Sequence, residues 1–107
     1  MPHKVMFVRS AEQDLRELKR YLVERFGQEV WQSSYRHIKD AADSLRQLPL
    51  SGTIPPELER LNLVQYRQVI VGMNRMIYEV RDQRVYIHIV CDTRKDLQSL
   101  LMQRLMR

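Results

Sequence analysis

Apolar residues recur along the chain in two rhythms, and the rhythms divide it into seven elements. Val5, Met6, Phe7 and Val8 form a short run that is apolar on both faces. It predicts a buried strand over Lys4 to Arg9, placed centrally in a sheet. Leu15, Leu18, Leu22 and Phe26 then follow helical spacing, with Asp14, Arg16, Glu17, Arg20 and Glu24 on the opposite side. Ser10 is the predicted N-cap, Gln13 the partner of a weak capping box, and Gly27 the C-cap. Trp31, Tyr35, Ile38, Ala42 and Leu45 repeat the spacing and predict a second helix from Gln28 to Leu48. So short a junction makes the two helices an αα-hairpin whose apolar faces lie on the sheet.

Pro49 ends that helix, and a proline-rich loop follows, with one short helical turn expected over Pro56 to Leu61. The stretch Val64 to Asp92 is the centre of the chain. Three runs rich in Val, Ile, Tyr and Met are separated by turn signals at Gly72-Met73-Asn74 and Arg81-Asp82-Gln83. This is the pattern of an antiparallel meander. In the third run strict alternation puts Val85, Ile87, Ile89 and Cys91 on one face and Tyr86, His88 and Val90 on the other. Thr93 with Asp96 reads as a capping box for a last helix bearing Leu97, Leu100, Leu101 and Leu105. The expected fold is α+β in a single domain over residues 1–107: N-terminal strand, αα-hairpin, three-stranded antiparallel meander and C-terminal helix.

Composition narrows the function. A hydrophobic share of 44% and a charged share of 29% suit a globular domain that needs neither metal nor disulfide. The single cysteine fits a reducing, cytoplasmic setting, and neither a signal peptide nor a membrane span is expected. The net charge of +5 is uneven: residues 65–107 hold eight Lys/Arg against four Asp/Glu. That asymmetry points to an anionic partner.

Few chemical motifs are present. His3, His37 and His88 lack the close spacing of a metal site, and no phosphate loop or nucleophile elbow occurs. No cofactor or metal is expected. Cys91, ending an apolar strand face, reads as core and not as a nucleophile. What stands out is a set of cations on or beside the meander: Arg67, Arg75, Arg81, Arg84, Arg94 and Lys95. Guanidinium groups on a sheet can clamp phosphates, and Tyr66, Tyr78 and Tyr86 can stack bases or fill the core. The structural alternative pairs several of these arginines with Glu79, Asp82, Asp92 and Asp96.

The ordered set of features resembles the RelE/ParE superfamily of bacterial type II toxins over essentially the whole chain. It comprises the opening strand, the αα-hairpin, Pro49-x-x-Gly52, Pro56-Glu-Leu58, Tyr66-Arg67, Arg75-Met-Ile-Tyr78 and Asp92-Thr-Arg-Lys-Asp-Leu97. The resemblance implies two mechanisms. RelE-like members cleave mRNA on the ribosome, which would make Arg67 and Arg75 the catalytic candidates. ParE-like members inhibit DNA gyrase by binding. Departures favour the second: Asp92 stands where relatives often carry His, no Tyr follows Tyr86, and only Arg60 is basic between Arg46 and Arg67. The chain is therefore expected to be a non-enzymatic, ParE-like toxin. Its implied partners are a cognate antitoxin, DNA gyrase and gyrase-bound DNA, all met through Arg67, Arg75, Arg81, Arg84, Arg94 and Lys95.

Overall fold

The computed structural model describes residues 2–106. Its elements are β1 (Lys4–Phe7), α1 (Arg9–Phe26), α2 (Gln28–Ser44), the single turn α3 (Pro56–Glu59), β2 (Tyr66–Val71), β3 (Asn74–Arg81), β4 (Arg84–Asp92) and α4 (Leu97–Leu105). The expected order therefore stands. Gly27, at φ +97°, ends α1 and begins α2, a backbone setting that other residues reach only with strain. Ser10 is not the cap of α1. The helix begins two residues earlier, at Arg9 after an extended Val8, and no side chain caps it. Two of the apolar positions lie at the surface: Phe26 is 60% exposed and Tyr35 40%. Trp31 is buried and packs its ring against Tyr35, centroids 5.2 Å apart. The second helix stops at Ser44, short of Leu48, and Leu45 turns inward to the core.

The sheet runs β1-β4-β3-β2, with β1 parallel to β4 and the other pairs antiparallel. β1 is therefore an edge strand and not a central one. Its double-sided apolarity comes from half-burial under the α1–α2 hairpin, where Val5, Phe7 and Val8 join the core.

A β-bulge in the β3–β4 register changes which side chains share a face. Ile77 pairs Ile89 while Tyr78 pairs Ile87, so His88 is the extra residue. Before the bulge Val85 and Ile87 face the α1–α2 hairpin, together with Ile38, Leu45, Met76 and Tyr78. After it Ile89 and Cys91 point the other way, into a second cluster with Leu58, Tyr66, Ile77, Leu97 and Leu101. Val90 takes the hairpin side. The strict alternation expected for β4 thus fails at His88. The sheet is covered on both faces, by the hairpin on one and by α3 and α4 on part of the other.

Asp96 alone caps α4: its carboxylate accepts from the Ser99 N–H at 3.1 Å and the Ser99 hydroxyl at 2.9 Å. Thr93 instead donates its backbone N–H to the Met73 carbonyl at 2.9 Å. No helix among the described residues is long and apolar enough to cross a membrane.

Candidate functional site

The six predicted cations do not form one patch. Arg75 points inward from β3 and is only 6% exposed. Its guanidinium donates to Glu57 Oε2 at 3.1 Å, Gln68 Oε1 at 3.1 Å and the Lys95 carbonyl at 3.3 Å. One side chain therefore ties together α3, β2 and the turn before α4. The Arg75 hydrogen bond holds the Glu57 carboxyl below its usual range, against the opposing effect of burial. Cys91, the register partner of Arg75, lies in this buried layer, and burial pushes its thiol up. It is a core residue.

Arg67 is also bound within the fold. Its Nη1 donates to the Gly52 carbonyl at 2.8 Å and to the Leu50 carbonyl at 3.4 Å, pinning the proline-rich loop to β2. Tyr78 secures the same loop from below. Its hydroxyl accepts from the Gly52 N–H at 3.0 Å and donates to the Pro49 carbonyl at 2.8 Å. The Pro49-x-x-Gly52 segment is thus a docked loop.

Arg94 and Lys95 lie at the turn after β4. Arg94 grips Asp92 with Nε at 2.9 Å and Nη2 at 3.0 Å, and its backbone N–H adds a third bond at 2.8 Å. The Asp92 carboxyl is held down at about 2 by these bonds, so it stays ionised at neutral pH. Lys95 is exposed and lines a cleft of about 680 Å³ between α1, β4 and α4.

That cleft has a floor which the sequence pattern misses. β1 pairs β4 only as far as Ile87, so the far half of β4 has no strand on that side. Asp14 takes the place of a strand. Its Oδ2 accepts from the Val90 N–H at 2.9 Å, and its Oδ1 meets Arg104 Nη2 at 2.6 Å. Arg104 Nη1 donates to the His88 carbonyl at 3.0 Å. Asp14 is therefore not on the solvated side of α1, as helical periodicity implied. Burial raises its carboxyl above the ordinary range, although Val90 and Arg104 pull it down.

Arg84 and its β3 partner Arg81 lie at the other end of β4, about 26 Å from Asp92 at roughly 3.3 Å per residue. Both are exposed. They are register partners, and Lys4 of β1 pairs Arg84 from the other side. Lys4, Arg84 and Arg81 therefore make a row of three cations across the sheet. The adjoining row on the same face is Met6, Tyr86, Glu79 and Tyr66. Glu79 Oε1 serves two partners, Arg81 Nη2 at 3.0 Å and His88 Nε2 at 3.0 Å. Arg81 also lies over the Tyr86 ring, 5.6 Å from its centroid. Tyr66 and Tyr78 are buried, so Tyr86 is the half-exposed member of the three strand tyrosines. Lys4 escapes sequence reasoning because only the parallel β1–β4 pairing brings it beside Arg84. Among the described residues no three His, Cys, Asp or Glu side chains gather as metal ligands.

A four-stranded sheet with a leading parallel edge strand, backed by an αα-hairpin and closed by a C-terminal helix, is the architecture of RelE/ParE superfamily toxins. Residues 5–97 match the family described as ParE toxin of type II toxin-antitoxin system, parDE, and the chain belongs to that family. Among solved structures it resembles a chain of the chromosomal ParDE toxin–antitoxin system from P. aeruginosa. The TM-score is 0.70 at 16% identity, covering 84% of this chain and 95% of that one. It also resembles a chain of the RelBE2 toxin–antitoxin complex from Mycobacterium tuberculosis, with a TM-score of 0.57 at 21% identity, covering 86% and 99%. No curated protein matches the chain in sequence. The protein is thus a toxin of the ParE family of type II toxin–antitoxin systems.

Proposed function

We propose that this toxin inhibits DNA gyrase by binding and does not cleave RNA. The observation that carries the reading is the fate of the two arginines that RNA cleavage would need. Arg75 is spent on Glu57, Gln68 and the Lys95 carbonyl, and Arg67 on the carbonyls of Leu50 and Gly52. Arg75 Nε makes no bond among the described residues and Arg67 bonds through Nη1 alone, but both guanidinium groups are held by partners inside the fold and are not presented freely to a scissile phosphate. Asp92 supports the same reading, because a carboxyl held at about 2 by Arg94 does not donate a proton at neutral pH. The exposed cations Arg81, Arg84, Arg94 and Lys95 are the groups left to meet an antitoxin or gyrase and its DNA.

RelE-type cleavage of mRNA is the second reading, and one contact favours it. His88 Nε2 sits 3.0 Å from Glu79 Oε1 on the face that carries Arg81 and Tyr86, a pairing able to hold or move a proton. Purified toxin in a gyrase supercoiling assay, run beside in vitro translation with primer-extension mapping, separates the two. Loss of supercoiling with intact mRNA is the expected result. Codon-positioned mRNA cuts with normal supercoiling would overturn the gyrase reading in favour of the second.

A further inference from the structure

We infer that the open end of the sheet, opposite the α1–α2 hairpin, is a binding surface for single-stranded nucleic acid. This inference rests on neither target assignment. It starts from the row Lys4–Arg84–Arg81, in which three like charges stand in register on adjacent strands about 4.8 Å apart. Like charges directly opposite one another in a sheet repel, and nothing within the fold relieves most of this row. Of these three cations, only Arg81 has an ion-pair partner among the described residues, Glu79, which it shares with His88. Asp82 in the adjoining turn makes no ion pair. An external chain of anions would supply the missing charge.

The neighbouring row says which kind of chain. Tyr86 and Met6 lie side by side next to the cations, half-exposed, and the Arg81 guanidinium covers part of the Tyr86 ring. An acidic polypeptide could match the charges but has nothing flat to set on this surface. An unpaired base does, because it stacks on an aromatic ring or a guanidinium plane while its phosphates reach the cations. A duplex keeps its base faces covered, so the surface suits a single strand. Glu79 is buried and held by Arg81 and His88, which limits its repulsion of phosphate.

Fluorescence anisotropy of labelled oligo-dT and oligo-U of about twelve nucleotides, with the full chain at low salt, tests this. Saturable binding is expected, with log affinity falling against log salt at a slope of roughly −2, as about three phosphate contacts require. Arg84→Glu and Lys4→Glu should each cut affinity at least about tenfold and flatten that slope. Tyr86→Leu should cut it about tenfold with the slope unchanged. Arg20→Glu, on the exposed side of α1, should change nothing. Circular dichroism confirms that each variant is folded; if Lys4→Glu is not, Arg84→Glu carries the charge arm alone. Absence of saturable binding overturns the inference, as does binding that ignores Arg84 and Tyr86. Displacement by polyglutamate as effective as by unlabelled oligonucleotide overturns it in favour of an acidic polypeptide.

Discussion

The carboxylate of Asp14 and the guanidinium of Arg104, 90 residues apart in sequence, meet at 2.6 Å and together complete the edge of β4 that β1 leaves bare. Asp14 accepts from the Val90 N–H, and Arg104 donates to the His88 carbonyl. The pair therefore does the work of a missing strand segment and links the first helix to the last. An unpaired strand edge invites unwanted strand addition, and this one is blocked by side chains instead of backbone.

Removing one partner leaves the other charge stranded, so Arg104→Ala should destabilise the fold by about 3–5 kcal/mol at neutral pH. The sign of the pH dependence follows from Asp14, whose folded carboxyl is raised above 3.8 by burial and rises further without Arg104. A group raised in the folded state stabilises it fully below the ordinary value, and that contribution is lost as pH rises through the folded value. Urea melts should therefore find the Arg104→Ala deficit largest near neutrality and smaller towards about pH 4. The double variant Asp14→Leu with Arg104→Met should recover part of the loss, since no lone charge remains. A deficit independent of pH would rule out the stranded-charge account.

Arg75 makes a different prediction from the exposed cations. Arg75→Ala should cost about 2–3 kcal/mol, because the half-buried Glu57 and Gln68 lose their shared donor and the buried space of Arg75 is emptied. Arg75→Lys should rescue little, since a single ammonium cannot span three acceptors. Arg84→Ala should lie within about 0.5 kcal/mol of the parent. The Glu57 carboxyl is depressed when folded, so its share of stability is present above its ordinary 4.5 and is lost as pH falls through the lower folded value. The gap between parent and Arg75→Ala should accordingly narrow in acid, read by denaturant melts. Equal effects of Arg75→Ala and Arg84→Ala would contradict the structural role given to Arg75.

Gly52 is required by proximity and not by backbone conformation. A Cβ added there would lie 2.5 Å from the Gln68 carbonyl oxygen and 2.6 Å from the Tyr78 hydroxyl. Gly52→Ala must therefore push the loop off β2 or break the two Tyr78 bonds, and we expect a loss of about 2–3 kcal/mol. Tyr78→Phe should cost less, about 1–2 kcal/mol, by leaving the Gly52 N–H and Pro49 carbonyl without their partner. In the combined variant the two losses should not add, because both act on one contact. Additive losses in thermal or urea melts would show that the loop is held some other way.

Periodicity carried most of the fold because each helix and hairpin is specified by neighbours in sequence. The stripe Trp31, Ile38, Ala42 and Leu45 is buried, and both meander turns fall where Gly72 and Asp82 take positive φ. What periodicity missed is non-local. Asp14 reads as a solvated helix residue until the end of β1 and the course of α4 bring Val90 and Arg104 to it. Arg75 reads like Arg84 until α3 folds over it. The edge position of β1 hides behind four apolar residues, since half-burial under a hairpin and burial in mid-sheet select the same side chains. The candidate surface was legible in its arginines 81 and 84, but Lys4 joins them only through a strand pairing that spans the whole domain.

The bulge at His88 yields the sharpest test of the two-core sheet. An extra residue reverses the alternation of everything after it, and this is why Ile89 and Cys91 reach the cluster with Leu97 and Leu101 while Val90 faces the hairpin. Inserting one alanine after His88 would reverse the alternation a second time. Ile89 and Cys91 would then turn towards α1, and Val90 would face α4, so both clusters would lose their partners at once. The insertion should abolish cooperative unfolding, whereas His88→Ala keeps the chain length and should cost only about 1–2 kcal/mol for the lost bond to Glu79. If the insertion variant melts as cooperatively as His88→Ala, β4 can slip its register freely, and the bulge does not decide which face each core receives.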